Sequence, residues 1–167
     1  GSIARSQIDS VQDVPGADTL QGYVKDGEQA LAHAVAIKLN GGLGTSMGLE
    51  QAKSLIPVKD DLRFIDIIAQ QLLHLRTAHG HHVPLLLMNS DATRNDSLEA
   101  LNDFPALQGD LPLDFLQHRI PKILAEDLSP AEWASNDELE WCPPGHGDIY
   151  TALVTSGLLD QLLDRDI

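Results

Sequence analysis

The apolar run Ala34-Val35-Ala36-Ile37-Lys38-Leu39 passes directly into Asn40-Gly41-Gly42-Leu43-Gly44-Thr45-Ser46-Met47-Gly48, and this junction constrains the chain more than any other stretch. The run reads as a strand and the nine residues after it as a glycine-rich loop. Glycines at a strand end permit positive φ and let the main chain approach a ligand closely. Successive N–H groups there can point at phosphate oxygens. Two familiar phosphate loops fail on spacing. A dinucleotide fingerprint needs G-x-G-x-x-G, whereas this loop runs G-G-x-G-x-x-x-G. A Walker loop needs glycine immediately before its Lys-Ser, and here Ala52 precedes Lys53-Ser54. On composition alone a flexible turn competes with a phosphate cradle. Lys53 favours the cradle, because it follows closely enough to fold back over bound phosphates.

The rest of the chain alternates strand and helix patterns. A second short strand is expected at Leu55-Ile56-Pro57-Val58, followed by a helix over residues 62–78 with Phe64, Ile68, Leu72 and Leu75 at helical spacing. Asp60 or Asp61 is the expected cap of that helix. The turn His79-Gly80-His81-His82 leads into an apolar strand at 83–88, then a polar loop and a helix to about Phe104. Residues 113–117 read as the next strand, and a long irregular stretch ends at Trp141-Cys142-Pro143-Pro144-Gly145-His146-Gly147. Asp148 then stands where a cap belongs, before a helix carrying Ile149, Ala152, Leu153, Leu158 and Leu159. This alternation predicts an α/β fold of three layers, with helices on both faces of a mostly parallel sheet. Ligands of such sheets bind outside the carboxyl ends of the strands, where both glycine-rich loops belong. Residues 1–33 read as a lead-in segment and 34–167 as the layered part.

Composition narrows the function. A formal net charge of −14 opposes nucleic acid or an anionic membrane as partner. A small phosphorylated ligand is not excluded, since it responds to the local field. The basic residues gather in two places, Lys38, Lys53, Lys59 and Arg63 in one and Arg119 and Lys122 in the other. The longest apolar stretch, residues 83–88, is too short to cross a bilayer, and the N-terminus has no apolar core of signal-peptide type. A single cysteine, Cys142, allows no internal disulfide and fits a reducing cytoplasm.

Four blocks in series carry a resemblance. Lys38-Leu39-Asn40-Gly41-Gly42-Leu43-Gly44-Thr45-Ser46-Met47-Gly48 with Ala52-Lys53-Ser54-Leu55-Ile56 closely resembles the signature of the eukaryotic-type UDP-glucose pyrophosphorylase family. Val83-Pro84-Leu85 with Leu87-Met88-Asn89-Ser90 follows, then Phe115-Leu116-Gln117 with Pro121, then residues 141–150 and Ser156-Gly157-Leu158-Leu159-Asp160. The resemblance covers about residues 34–160. It implies a Rossmann-like α/β/α nucleotidyltransferase fold, present here as the N-terminal portion of the catalytic domain. The implied reaction joins UTP and glucose-1-phosphate into UDP-glucose and pyrophosphate, with Mg2+ as cofactor. The related N-acetylhexosamine pyrophosphorylases word their glycine loop differently, so the Asn-Gly-Gly-Leu-Gly-Thr form favours glucose.

The resemblance also implies roles. Leu39, Asn40, Gly41 and Gly42 line the uridine and phosphate site mainly through their backbone, and Lys53 contacts the UTP phosphates as the catalytic cation. Gln117 reads uracil, since one carboxamide can both donate and accept, and cytosine would leave a buried partner unsatisfied. Without the family pattern Lys53 would read as a solvated lysine and Gln117 as a strand-end residue facing water. The Gly145 backbone is expected near the uracil and His146 at the glucose-1-phosphate side, with Gly41 and Gly42 also touching that substrate. Asp148 reads as a helix cap rather than a magnesium ligand. The histidines at 74, 79, 81 and 82 lack a recognised ligand spacing and read as a solvated turn. The family's metal-binding aspartate sits in an Asn-x-Asp-Asn strand expected soon after Leu162-Leu163, past the last residue, Ile167. The chain is therefore expected to supply no metal ligand and to turn over little or nothing by itself. A non-catalytic UTP-binding module, or a pyrophosphorylase for another sugar phosphate, are the alternative functions.

Overall fold

Seven consecutive residues from Val83 to Asn89 are buried, and they explain the layering: a strand covered on both faces needs apolar side chains at odd and even positions alike. The computed structural model describes residues 4–7, 9, 14–43 and 51–167. Residues 44–50, most of the glycine-rich loop, lie outside the described residues.

Three parallel strands form the main sheet: β1 (Ala36–Asn40), β4 (Leu85–Asn89) and β5 (Asp114–Leu116), in the order β1-β4-β5. The register pairs Ala36 with Leu85 and Asn40 with Asn89, and carries on from Leu87 opposite Asp114 to Asn89 opposite Leu116. The three strands therefore finish level. On one face α2 (Phe64–His79) and α3 (Asp91–Leu101) cover Leu85 and Leu87 with Ile65, Ala69, Leu72, Ala100 and Leu101. On the other, α4 (Ile149–Thr155) and α5 (Leu158–Leu163) cover Leu86, Met88 and Phe115 with Ala152, Leu158 and Leu162. The expected three-layer α/β/α architecture, with helices on both faces of a parallel sheet, is thus present.

Local details differ from expectation for physical reasons. The stretch expected as strand at 55–58 splits into a 3-10 turn, Lys53–Leu55, and β2 (Pro57–Lys59), which pairs antiparallel with β3 (Leu62–Arg63) rather than joining the main sheet. Asp60 and Asp61 do not cap α2. Both have left-handed φ, 50° and 61°, and make the β2–β3 turn. The start of α2 is held instead by Asp66, which accepts from the Arg63 main-chain N–H at 2.8 Å and from its guanidinium at 2.8 Å on each oxygen. The Arg63 hydrogen bond keeps the Asp66 carboxyl below its usual range. The helix expected after Asp148 is broken in two at Gly157, whose φ of 72° a side chain would resist. Two-residue strands β6 (Ile120–Pro121) and β7 (Trp141–Cys142) pair antiparallel across the stretch read as irregular. Before β1, residues 17–33 are helical, including α1 (Val24–Ala30), and Leu31 packs on the core. Among the described residues no helix is long and apolar enough to cross a membrane.

Candidate functional site

Asn40 and Asn89 end two apolar strands opposite one another, and their side chains turn inward. Asn40 Nδ2 donates to Asn89 Oδ1 at 2.7 Å and to Ser97 Oγ at 2.8 Å, while its Oδ1 accepts from Ser54 Oγ at 2.6 Å. Asn89 Nδ2 donates to Asp114 Oδ2 at 3.1 Å, and Arg94 pairs with the same carboxylate at 2.8 Å. All of these except Arg94 are buried. One polar network thus ties together the ends of β1, β4 and β5, helix α3 and the turn that bears Lys53. In a low-dielectric setting such a network is rigid only if every member is satisfied, and this one is.

The network positions what lies above it. Leu43 and Ala52 form an antiparallel bridge, and Ala52 and Ser54 are buried on either side of an exposed Lys53. The local sequence therefore anchors the lysine by its neighbours and leaves its ammonium in solvent. Lys38 is half-buried, donates to the Leu39 carbonyl at 3.3 Å and is held below the usual lysine range by burial. Leu39 packs against the α4–α5 face and Asn40 is consumed by the network, so neither side chain faces a ligand.

Gln117 follows β5 directly and is 7 % exposed. Its carboxamide lies against the α-carbon of Gly41 so closely that a Cβ there would fall under 3.0 Å from it. This close approach is the reason for glycine at 41. Gln117 Nε2 is buried and has no hydrogen-bond partner among the described residues. An amide donor in that condition is costly, which makes this position a candidate for contact with an acceptor outside the described residues. Gln117, Gly41 and Gly42 share an open groove of about 610 Å³ with Arg119, Lys122 and Trp141. Arg119 stacks over Trp141 at 5.8 Å from the ring centre and lies 3.4 Å from Asp91.

The second loop meets this groove at Pro143. Gly145, with a φ of 112° that favours glycine, and His146 are exposed and stand outside the groove wall, as does Lys53. Asp148 occupies the position before α4 but caps nothing with its side chain. Its carboxylate instead accepts from the His118 main-chain N–H at 2.6 Å and lies 2.9 Å from His118 Nδ1. Of the four histidines at 74–82, His79 approaches Glu28 at 3.8 Å and His82 lies under Gly109. Sequence reasoning missed Asn89, Asp114, Ser54, Ser97 and His118. The signal for the first was available: two apolar strands each closing on asparagine.

The chain spans 29 % of the length of the Solanum tuberosum UTP–glucose-1-phosphate uridylyltransferase, to which it is 41 % identical over 139 residues, or 83 % of itself. A probable uridylyltransferase of Schizosaccharomyces pombe is 40 % identical over 128 residues, 76 % of this chain and 25 % of that protein. Among solved structures, a mutant Leishmania major UDP-glucose pyrophosphorylase in complex with UDP-glucose superposes with a TM-score of 0.86 at 41 % identity, over 99 % of this chain and 34 % of that one. The open and closed structures of the Leishmania major enzyme match with a TM-score of 0.85 at 40 % identity, again over 99 % of this chain and 34 % of that one. The family model described as UTP–glucose-1-phosphate uridylyltransferase matches residues 2–166. With that match laid over the sheet, the loops and the Gln117 groove, the chain belongs to the UTP–glucose-1-phosphate uridylyltransferase family.

Proposed function

We propose that this chain is the nucleotide-binding part of an enzyme that converts UTP and glucose-1-phosphate to UDP-glucose and pyrophosphate. The observation that carries the reading is the unpartnered, buried Nε2 of Gln117, pressed against Gly41 in the groove. Uracil offers a carbonyl to that amide and an N–H to the carboxamide oxygen. Cytosine offers an acceptor nitrogen and an amino group instead, and leaves both halves of the carboxamide facing the wrong partner when the carboxamide is held in one orientation. The names of the relatives and the UDP-glucose held by the Leishmania structure support uridine and glucose as the two ends of the product.

The chemistry asked of the protein is positioning and charge neutralisation. The glucose-1-phosphate oxygen attacks the α-phosphorus of UTP in line with the departing pyrophosphate, and needs no general base because it is already anionic. Lys53, exposed between the buried Ala52 and Ser54, supplies positive charge to the triphosphate. The backbones of Leu39, Asn40, Gly41 and Gly42 approach the nucleotide, Gly145 approaches the base and His146 the sugar phosphate. We infer magnesium as cofactor, which would neutralise phosphate charge when bound. Among the described residues no three His, Cys, Asp or Glu side chains gather to hold it. Two carboxylates line the groove, Asp91, which lies 3.4 Å from Arg119, and Glu138 on the far stretch. The described residues do not by themselves make a magnesium site. A cytoplasmic setting is the location that the lone Cys142 fits best.

The test is UTP formation from UDP-glucose and pyrophosphate with magnesium, using the longest product the gene encodes. Robust turnover is expected, falling about 100-fold in Lys53→Ala because one preorganised charge is lost, and abolished by EDTA. A folded product without activity would favour a non-catalytic nucleotide-binding module. Preference for another sugar phosphate would correct the substrate.

A further inference from the structure

His118 is not among the residues that the family blocks brought forward, yet it joins both parts of the site. It follows Gln117 directly, and its main-chain N–H donates to Asp148 Oδ2 at 2.6 Å. Its ring Nδ1 lies 2.9 Å from Asp148 Oδ1, and its Nε2 lies 3.1 Å from Thr155 Oγ1. Asp148 and Thr155 flank α4, so one imidazole grips the helix at its start and at its last residue. The Asp148 side chain is 8 % exposed and that of His118 is 42 % exposed.

The contact holds in either protonation state of the ring. A carboxylate cannot donate, so Nδ1 carries a proton toward Asp148. With Nε2 also protonated, it donates to Thr155 Oγ1, whose hydroxyl donates to the Thr151 carbonyl at 3.0 Å. With Nε2 bare, the Thr155 hydroxyl turns to donate into it. The main chain at Gln117 is thereby fixed on both sides, its own N–H on the Asn89 carbonyl at 2.8 Å and the next N–H on Asp148, which sets where the carboxamide starts from. Asp148 also follows the Pro143-Pro144-Gly145-His146-Gly147 loop, and its main-chain N–H donates to the Gly145 carbonyl at 3.2 Å.

We propose that the His118–Asp148 pair is a positioning clamp that sets the Gln117 carboxamide and the 143–147 loop in one fixed relation, and thereby sharpens selection of uracil over cytosine. The proposal rests on the uridine reading of the Gln117 groove. His118 touches no ligand in this scheme; it is a positioning residue.

The experiment compares the whole chain with His118→Ala, His118→Asn, Asp148→Asn, the double variant His118→Ala/Asp148→Asn, and Gln117→Leu. Amide hydrogen exchange over residues 117–118 and 143–148 is measured without nucleotide, alongside the ratio of UTP to CTP dissociation constants. His118→Ala is expected to speed exchange in both segments and to lower the UTP preference, each by about tenfold, with the double variant no worse than the singles because the pair acts as a unit. His118→Asn, which keeps one ring-like donor, is expected to recover part of the preference. A purely structural role would lower thermal stability while leaving the UTP-to-CTP ratio intact, and that result overturns the proposal. Unchanged exchange at 143–148 in folded His118→Ala overturns it without any nucleotide. Should Asp148→Asn fail to fold, the two half-exposed His118 variants decide the matter. A wild-type chain that does not distinguish UTP from CTP, or a Gln117→Leu variant that distinguishes them as well, overturns the base-site reading instead, and the exchange data then judge the clamp alone.

Discussion

Asn89 has no exposed surface, and its side-chain oxygen, side-chain nitrogen and main-chain carbonyl each have a partner: Asn40, Asp114 and Gln117. An apolar residue of similar size would fit the space and leave Asn40 Nδ2 with only Ser97, and Asp114 with only Arg94. Asn89→Leu is therefore expected to cost about 2–4 kcal/mol, since it strips partners from a buried amide and a buried carboxylate. Chemical denaturation of the variant checks this. Gly41 makes a sharper case, because its requirement is contact and not φ. Gly41→Ala places a methyl group into the Gln117 carboxamide and must displace it. The expected outcome is near-native stability with UTP binding weakened about tenfold, or roughly 1.4 kcal/mol, read by calorimetry. Equal loss of UTP and CTP binding would show that Gln117 does not read the base.

At the scale of elements, helix α2 shows how much of a start signal can lie outside the expected residue types. Asp60 and Asp61 are good caps by composition, but the β2–β3 turn uses both in left-handed conformation. The Arg63–Asp66 pair takes over, a bidentate arrangement with one partner buried. Its pH consequence has a definite sign. Asp66 has a folded pKa below its ordinary value, chiefly through the Arg63 hydrogen bond. The stability it contributes is complete above the ordinary carboxylate range and is lost as pH falls through the folded value. Asp66→Asn is expected to cost about 1 kcal/mol near neutral pH and to converge on wild type in acid, as measured by melting temperature against pH. A difference that widened in acid would contradict the assignment. The broken helix at Gly157 and the β6–β7 pairing were missed for a different reason. Two-residue strands and single left-handed glycines leave almost no periodic trace in a sequence.

The whole molecule was legible where apolar periodicity decides the outcome. Residues 34–39, 83–88 and 113–117 gave the main sheet to within two residues at each end, because strands covered on both faces are predominantly apolar, with Lys38 and Asp114 among the exceptions. The glycine loop and Gln117 were legible through the family resemblance, and the groove they share exists only in the folded chain. Gly41 and Gln117 are 76 residues apart in number, and only the level ends of β1, β4 and β5 bring them together. Beyond the two strand-end asparagines, the polar network and the His118–Asp148 clamp were illegible, because hydrogen-bonded serine, aspartate and histidine look the same in sequence whether solvated or buried. What the molecule presents at the carboxyl end of its sheet is thus a rigid polar floor, a glycine placed for close contact, and one buried amide awaiting an acceptor. The most direct measurement of that account is a nitrogen-resolved NMR titration of the whole chain with UTP, following the Gln117 side-chain amide. The account predicts that UTP shifts the Gln117 Nε2 protons and the Gly41 amide at concentrations where CTP leaves them unmoved. Shifts that bypass Gln117, or that UTP and CTP produce alike, would contradict it.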